Sequence, residues 1–185
     1  NICYITDITT GLYMRTNTID TILPLAYAEK LLLPVKYGEN AVFFWIPGSG
    51  MTTIVQSVFG SKSILTENLS GLAKSIQVVE IWGHTSRDKT SSSLLHYPQL
   101  EKIINNALKL GKELICILGR IDDFPEQERL HLLMQLTRLN AISPRRVHIQ
   151  FHSTDKPWFE QQLALHPELI ALVNHMEIVP LASNE

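Results

Sequence analysis

Apolar residues along the chain fall into short runs that switch repeatedly between two rhythms. Residues 41–46, Ala-Val-Phe-Phe-Trp-Ile, are an unbroken apolar and aromatic run, the mark of a strand covered on both faces, and the run stops at Pro47-Gly48-Ser49-Gly50. Directly after it, Ile54, Val55, Val58 and Phe59 share one face of a short helix that Gly60 ends. Further strands are predicted at residues 1–7, 76–82, 113–118, 146–151 and 177–181. Between them lie helical patterns. One starts at Pro24 and is expected to stop at Pro34; another carries Leu100, Ile103, Ile104, Ala107 and Leu108 on one face, from Pro98 to Gly111. A third opens at Pro125 with Leu132, Leu133, Leu136 and Leu139 on one side, and residues 158–172 are helical but broken at Pro167. The turn around Gly11 and the Thr90-Ser91-Ser92-Ser93 run are expected loops. Strands alternating with helices predict an α/β fold, a three-layer sandwich with a mainly parallel sheet of about five strands.

Composition narrows this picture. The chain has 185 residues, 45% hydrophobic and 18% charged, enough for one packed core and incompatible with wholesale disorder. Sixteen basic against eighteen acidic residues give a net charge of −2, so there is no general drive toward nucleic acid or anionic lipid. No apolar run reaches the roughly 18–20 residues of a membrane span, and no membrane partner is expected. Cys3 and Cys116 each sit in an apolar run, the pattern of buried free thiols in a reducing, intracellular compartment, cytoplasm or nucleus. The start at Asn1, without methionine, reads as an excised piece. The expected division is an N-terminal strand and helix extension over residues 1–38 and a core over 39–185.

Phosphate-binding loops need a strand, a glycine turn whose N–H groups face a concavity, a lysine for the phosphates, a hydroxyl for Mg²⁺ and a helix N-terminus. Pro47, Gly48, Ser49, Gly50, Met51, Thr52 and Thr53 supply most of this set and are the candidate cofactor-binding residues. The segment resembles the Gly-Ser-Gly-Lys-Thr-Thr form of that loop, with Met51 in place of the lysine and Trp45 in place of the first glycine. The later run Ile115-Cys-Ile-Leu-Gly-Arg-Ile-Asp-Asp-Phe124 resembles the strand and Leu-Asp-Glu-Ile-Asp segment of AAA+ ATPases of the origin-recognition type. There Gly119 takes the place of the magnesium aspartate, Arg120 that of the catalytic glutamate, and Asp122 matches the next acidic position. A longer strand would make Asp122 and Asp123 the acidic pair, and these two are the candidate catalytic residues. The strand ending in His152-Ser153-Thr154 resembles the polar end of a sensor strand, and residues 177–185 resemble the segment leading from such a core into its lid or winged-helix region.

Over residues 39–185 the chain thus resembles a degenerate member of the AAA+/STAND group of P-loop NTPases. The resemblance implies that group's sheet order, weak binding of ATP or ADP with Mg²⁺, no metal held by the protein alone, and partners that are other protein subunits of a complex. The function it implies is that of a non-hydrolysing scaffold or regulatory module. The alternatives are an active ATPase using Asp122 and Asp123 with a lysine from elsewhere, or an unrelated α/β binding domain or enzyme. Other clusters carry less. The seven histidines, among them His148 and His152 on one strand face, form no metal-spaced pair and are expected mostly at the surface or core edge. Arg138, Arg145, Arg146 and Lys156 suggest a nucleic-acid phosphate contact, against the commoner reading of a solvated turn. Trp158 and Phe159 fit a partner anchor less well than core.

Overall fold

The structure, a computed structural model, describes residues 4–7, 22–69, 75–82 and 97–179. Its strands are β1 (Tyr4–Asp7), β2 (Ala41–Trp45), β3 (Ile76–Trp82), β4 (Glu113–Gly119), β5 (Val147–Ser153) and β6 (His175–Val179). Its helices are α1 (Ile22–Tyr37), α2 (Met51–Gly60), α3 (Lys62–Leu69), α4 (Tyr97–Lys109), α5 (Glu126–Ile142) and α6 (Lys156–Leu165), with 3-10 turns at Ile121–Asp123 and Pro167–Leu172. The strands form one sheet in the order β1-β3-β4-β5-β2-β6. All neighbours are parallel except β1, which closes the edge antiparallel to β3. The sheet is therefore five parallel strands with one antiparallel addition, and β2 is interior, between β5 and β6.

Alternation along each strand divides the core into two faces. Val42 and Phe44 of β2, with Leu114, Cys116 and Leu118 of β4, pack under α4, α5 and α6. Ala41, Phe43 and Trp45, with Ile115 and Ile117, pack under α1, α2 and α3. Both faces of β2 are covered, which is why its run carries no polar residue. Trp158 and Phe159 belong to the first of these cores, 8% and 1% exposed, so they anchor the fold rather than a partner.

Several expectations are corrected. Pro34 does not end α1, which runs on to Tyr37 because Leu31, Leu32 and Val35 are buried beneath it. Pro34 stands in the last turn, where its carbonyl accepts from Glu39 N–H at 2.8 Å while Gly38 N–H bonds Val35 O at 3.0 Å. This paired closure needs a left-handed residue, and Gly38 has φ 71°. Helix α3 was not expected from the pattern. Strand β5 runs two residues further than expected, and β6 starts two residues earlier. The Gly11 turn, the Thr90-Ser91-Ser92-Ser93 run, Cys3, His84, His96 and the tail from residue 180 lie outside the described residues.

Polar residues close the remaining seams. Asn40 Oδ1 accepts from Ile149 N–H at 2.9 Å, and Asn140 Nδ2 donates to Val147 O at 2.9 Å, fixing the start of β5. Lys30 and His175 both bond Glu177, joining α1 to β6; burial would raise that carboxyl, and these two partners outweigh it and hold it below the usual range. Arg146 donates to Leu108 O and Lys112 O at 3.0 and 2.7 Å, so it braces a turn, while Arg138 and Arg145 are exposed. Among the described residues, no helix is long and apolar enough to cross a membrane.

Candidate functional site

The glycine turn leaves β2 at its C-terminal end. Ser49 N–H bonds Ile46 O at 3.1 Å, and Gly48 and Gly50 take φ values of 80° and 79°. A side chain at either position would strain this left-handed backbone, so the turn as folded needs glycine. Gly50 is the N-cap of α2, and the first helical bond runs from Ile54 N–H to Gly50 O at 3.0 Å. The N–H groups of Met51, Thr52 and Thr53 precede that bond and open onto the helix N-terminus. Met51, Ile54, Val55, Val58 and Phe59 are buried, so α2 is seated firmly beneath the turn.

A cleft of about 360 Å³ lies here, walled on one side by Ile46 to Thr53 and on the other by Arg120, Asp122, Asp123 and Thr154. The structure thus brings every candidate from the glycine loop together with both candidate carboxylates, across seventy positions of sequence. The cleft lies at the C-terminal ends of β2, β4 and β5, where open α/β sheets bind ligands. Its volume falls in the range of small-molecule sites.

The acidic wall is not the extended strand considered from sequence. Strand β4 ends at Gly119, Arg120 turns into the left-handed region at φ 51°, and Asp122 and Asp123 lie in the 3-10 turn that follows. The turn comes this early because Ile121 drops fully into the core. Asp122 is heavily engaged: its carboxylate accepts from Ser153 Oγ and Thr154 N–H, both at 2.5 Å, and from Thr154 Oγ1 at 2.7 Å. Asp123 pairs with Arg120 Nε at 2.6 Å.

Behind this wall stands Arg129, which sequence reasoning did not single out. It donates to Phe124 O and Asp122 O, both at 2.7 Å, faces Asp155 at 3.7 Å and lies 5.1 Å over the Trp158 ring. Asp155 in turn caps α6 through Trp158 N–H at 3.1 Å. The only sequence signal is a basic residue one turn into a helix that opens at proline, too common to mark a site.

Trp45, in the place of the motif's first glycine, is 3% exposed and donates its indole N–H to His152 Nδ1 at 3.0 Å. An indole N–H can only donate, so the imidazole is neutral at Nδ1. Burial drives its pKa down to about 3. His148 and His152, 2% and 0% exposed, are therefore core residues, whereas His131, His166 and His175 keep exposure. The Cys116 thiol is pushed up to about 12 by burial, which leaves it a poor nucleophile.

No protein-family model and no curated protein matches this chain. Solved structures do. The Aeropyrum pernix ORC1 protein in complex with DNA is 18% identical with a TM-score of 0.57, covering 85% of this chain and 44% of its own. The Aeropyrum pernix ORC2 protein matches in its ADPNP-ADP complexes at 14% identity and TM-score 0.54, and in its ADP form at 12% and 0.57, each covering 94% of this chain. The chain spans about half the length of these proteins. What it shares with them is the fold, a five-stranded parallel α/β sheet with flanking helices.

Proposed function

We propose that this chain is the nucleotide-binding core of an AAA+-like subunit that holds ATP or ADP without turning it over and serves as a scaffold or regulatory part of a protein complex. The observation that carries this reading is the cleft itself. The glycine loop faces Arg120, Asp122 and Asp123 across it, while the positions that resemble the lysine, the magnesium aspartate and the glutamate hold Met51, Gly119 and Arg120.

The residues present fit a polyphosphate on the loop side. Two left-handed glycines shape the turn, the first-turn N–H groups of α2 follow, and Thr52 and Thr53 line the same wall. A bound nucleotide brings the negative charge that these donors neutralise. Mg²⁺ is served less well, since Asp122 already accepts three hydrogen bonds and Asp123 is paired with Arg120. Met51 is 8% exposed and offers no charge. Each lost transition-state contact removes on the order of 3 kcal/mol, so turnover fails well before binding does.

Such a core works by association with other protein subunits, and among the described residues the buried Cys116 and neutral His152 are poorly suited to catalysis. That setting is a reducing, intracellular one. A DNA contact ranks second: the ORC1 structure holds DNA, but here Arg146 is spent on the α4–β4 turn. Steady-state phosphate release from the pure chain tests the catalytic half of the reading, and turnover lost in Asp122→Ala would overturn it. Recovery from its source with and without nuclease tests the other half, with protein partners expected to survive nuclease.

A further inference from the structure

Among the described residues Arg120 is the one non-glycine residue with positive φ, at 51°. An L side chain resists this region, and such strain persists where the surrounding structure holds it. Here the hold is visible: Asp123 N–H bonds Arg120 O at 3.0 Å, and Phe124 N–H bonds Ile121 O at 3.2 Å. The effect is to turn the Arg120 side chain off the end of β4 and onto the cleft, opposite the glycine loop. It is the one basic residue among those lining the cleft.

We propose that Arg120 supplies, from the far wall, the positive charge for phosphate that Met51 cannot supply from the loop, and that Asp123 is the resting partner it leaves to do so. This rests on the reading of the cleft as a nucleotide site and names the residue that makes it one. The ion pair with Asp123 uses Nε, one of five N–H donors on the guanidinium. The guanidinium is 42% exposed at its side chain and the Asp123 carboxylate only 15%, so the arginine is the end of the pair that solvent reaches and that can turn toward a ligand. A polyphosphate offers the same fork several oxygens of higher charge in two-point geometry, and the exchange runs toward it. Asp122 does not compete for the arginine, because Ser153 and Thr154 already satisfy its carboxylate.

Titration calorimetry of the 185-residue chain with inorganic tripolyphosphate and with ADP, both without Mg²⁺, tests this. Arg120→Gly removes the charge and relaxes the backbone, which offsets the lost ion pair with Asp123, so it should fold about as stably as the parent while binding both ligands at least about tenfold more weakly. Asp123→Asn, which removes the competing carboxylate, should bind tripolyphosphate several-fold more tightly. Undiminished binding by Arg120→Gly, or weaker binding by Asp123→Asn, overturns the role of Arg120 and leaves the nucleotide reading standing. Absence of binding by the parent chain to either ligand overturns both.

Discussion

Asp122 and Thr154, thirty-two positions apart, are joined twice through one carboxylate oxygen, which accepts both the Thr154 backbone N–H and its hydroxyl. Ser153 takes the other oxygen. The ends of β4 and β5 are thereby stitched into one wall of the cleft, and a residue placed to suggest catalysis is occupied as a brace. Asp122→Ala should therefore lower the unfolding free energy by about 2–3 kcal/mol, since charge-assisted bonds are lost and the buried Ser153 hydroxyl is left without an acceptor. Asp122→Asn, which keeps acceptor oxygen, should recover part of this. Urea denaturation of the three proteins measures it.

The αL turn at Gly50 gives a paired test against Gly60, the last residue of α2, which has open space around it and no positive φ. Gly50→Ala should cost about 1–2 kcal/mol, because alanine is strained at φ 79° even though its nearest new contact, Ile54 Cδ1, is an ordinary 4.0 Å away. Gly60→Ala should be neutral or stabilise by up to about 1 kcal/mol. Thermal melts that rank the two variants the other way would refute the loop geometry.

Acid stability should report His152. Its folded pKa of about 3 lies below the ordinary value of 6.5, so between these limits the unfolded chain takes up a proton that the fold excludes. Stability gained from this residue is complete above about pH 6.5 and is lost as pH falls toward 3, at up to about 1.4 kcal/mol per pH unit. His152→Gln, which can still accept from Trp45, should flatten the dependence of unfolding free energy on pH between 4 and 6. An unchanged slope would mean the imidazole titrates normally.

Met51→Lys places a positive charge at a position already lining the cleft, where the proposed nucleotide site has none on its loop side. Nucleotide affinity should rise about tenfold, as expected of one charged hydrogen bond, while turnover should stay at the level of the parent, because Gly119 and Arg120 still provide neither metal ligand nor base. Fluorescence titration with ADP and a phosphate-release assay on the same sample read both quantities.

Much of this was legible in the order of residues. The unbroken run before Pro47 marked an interior strand because only a strand buried on both faces lacks polar positions, and the glycines after it marked the turn. What escaped were features that depend on which element lies opposite. The alternation Val-His-Ile-Gln-Phe-His of β5 has the pattern of a half-exposed strand, yet every residue is buried; Gln150 donates to Leu31 O at 2.6 Å, and Glu113 and Trp45 meet the two histidines. Helix α3 was hidden by its weak apolar stripe of Ile64, Leu65 and Leu69 among polar residues. Strand β4 ends within one residue of the expected 118, and the alternative of a longer strand carrying Asp122 and Asp123 is not met because Ile121 turns inward, which no local pattern announces.

Equilibrium dialysis of the chain against ATP and Mg²⁺, with the nucleotide on the protein side identified after several hours, tests the central claim most directly. The account predicts an excess of intact ATP on the protein side. An even distribution across the membrane, or steady accumulation of ADP and phosphate, would contradict it.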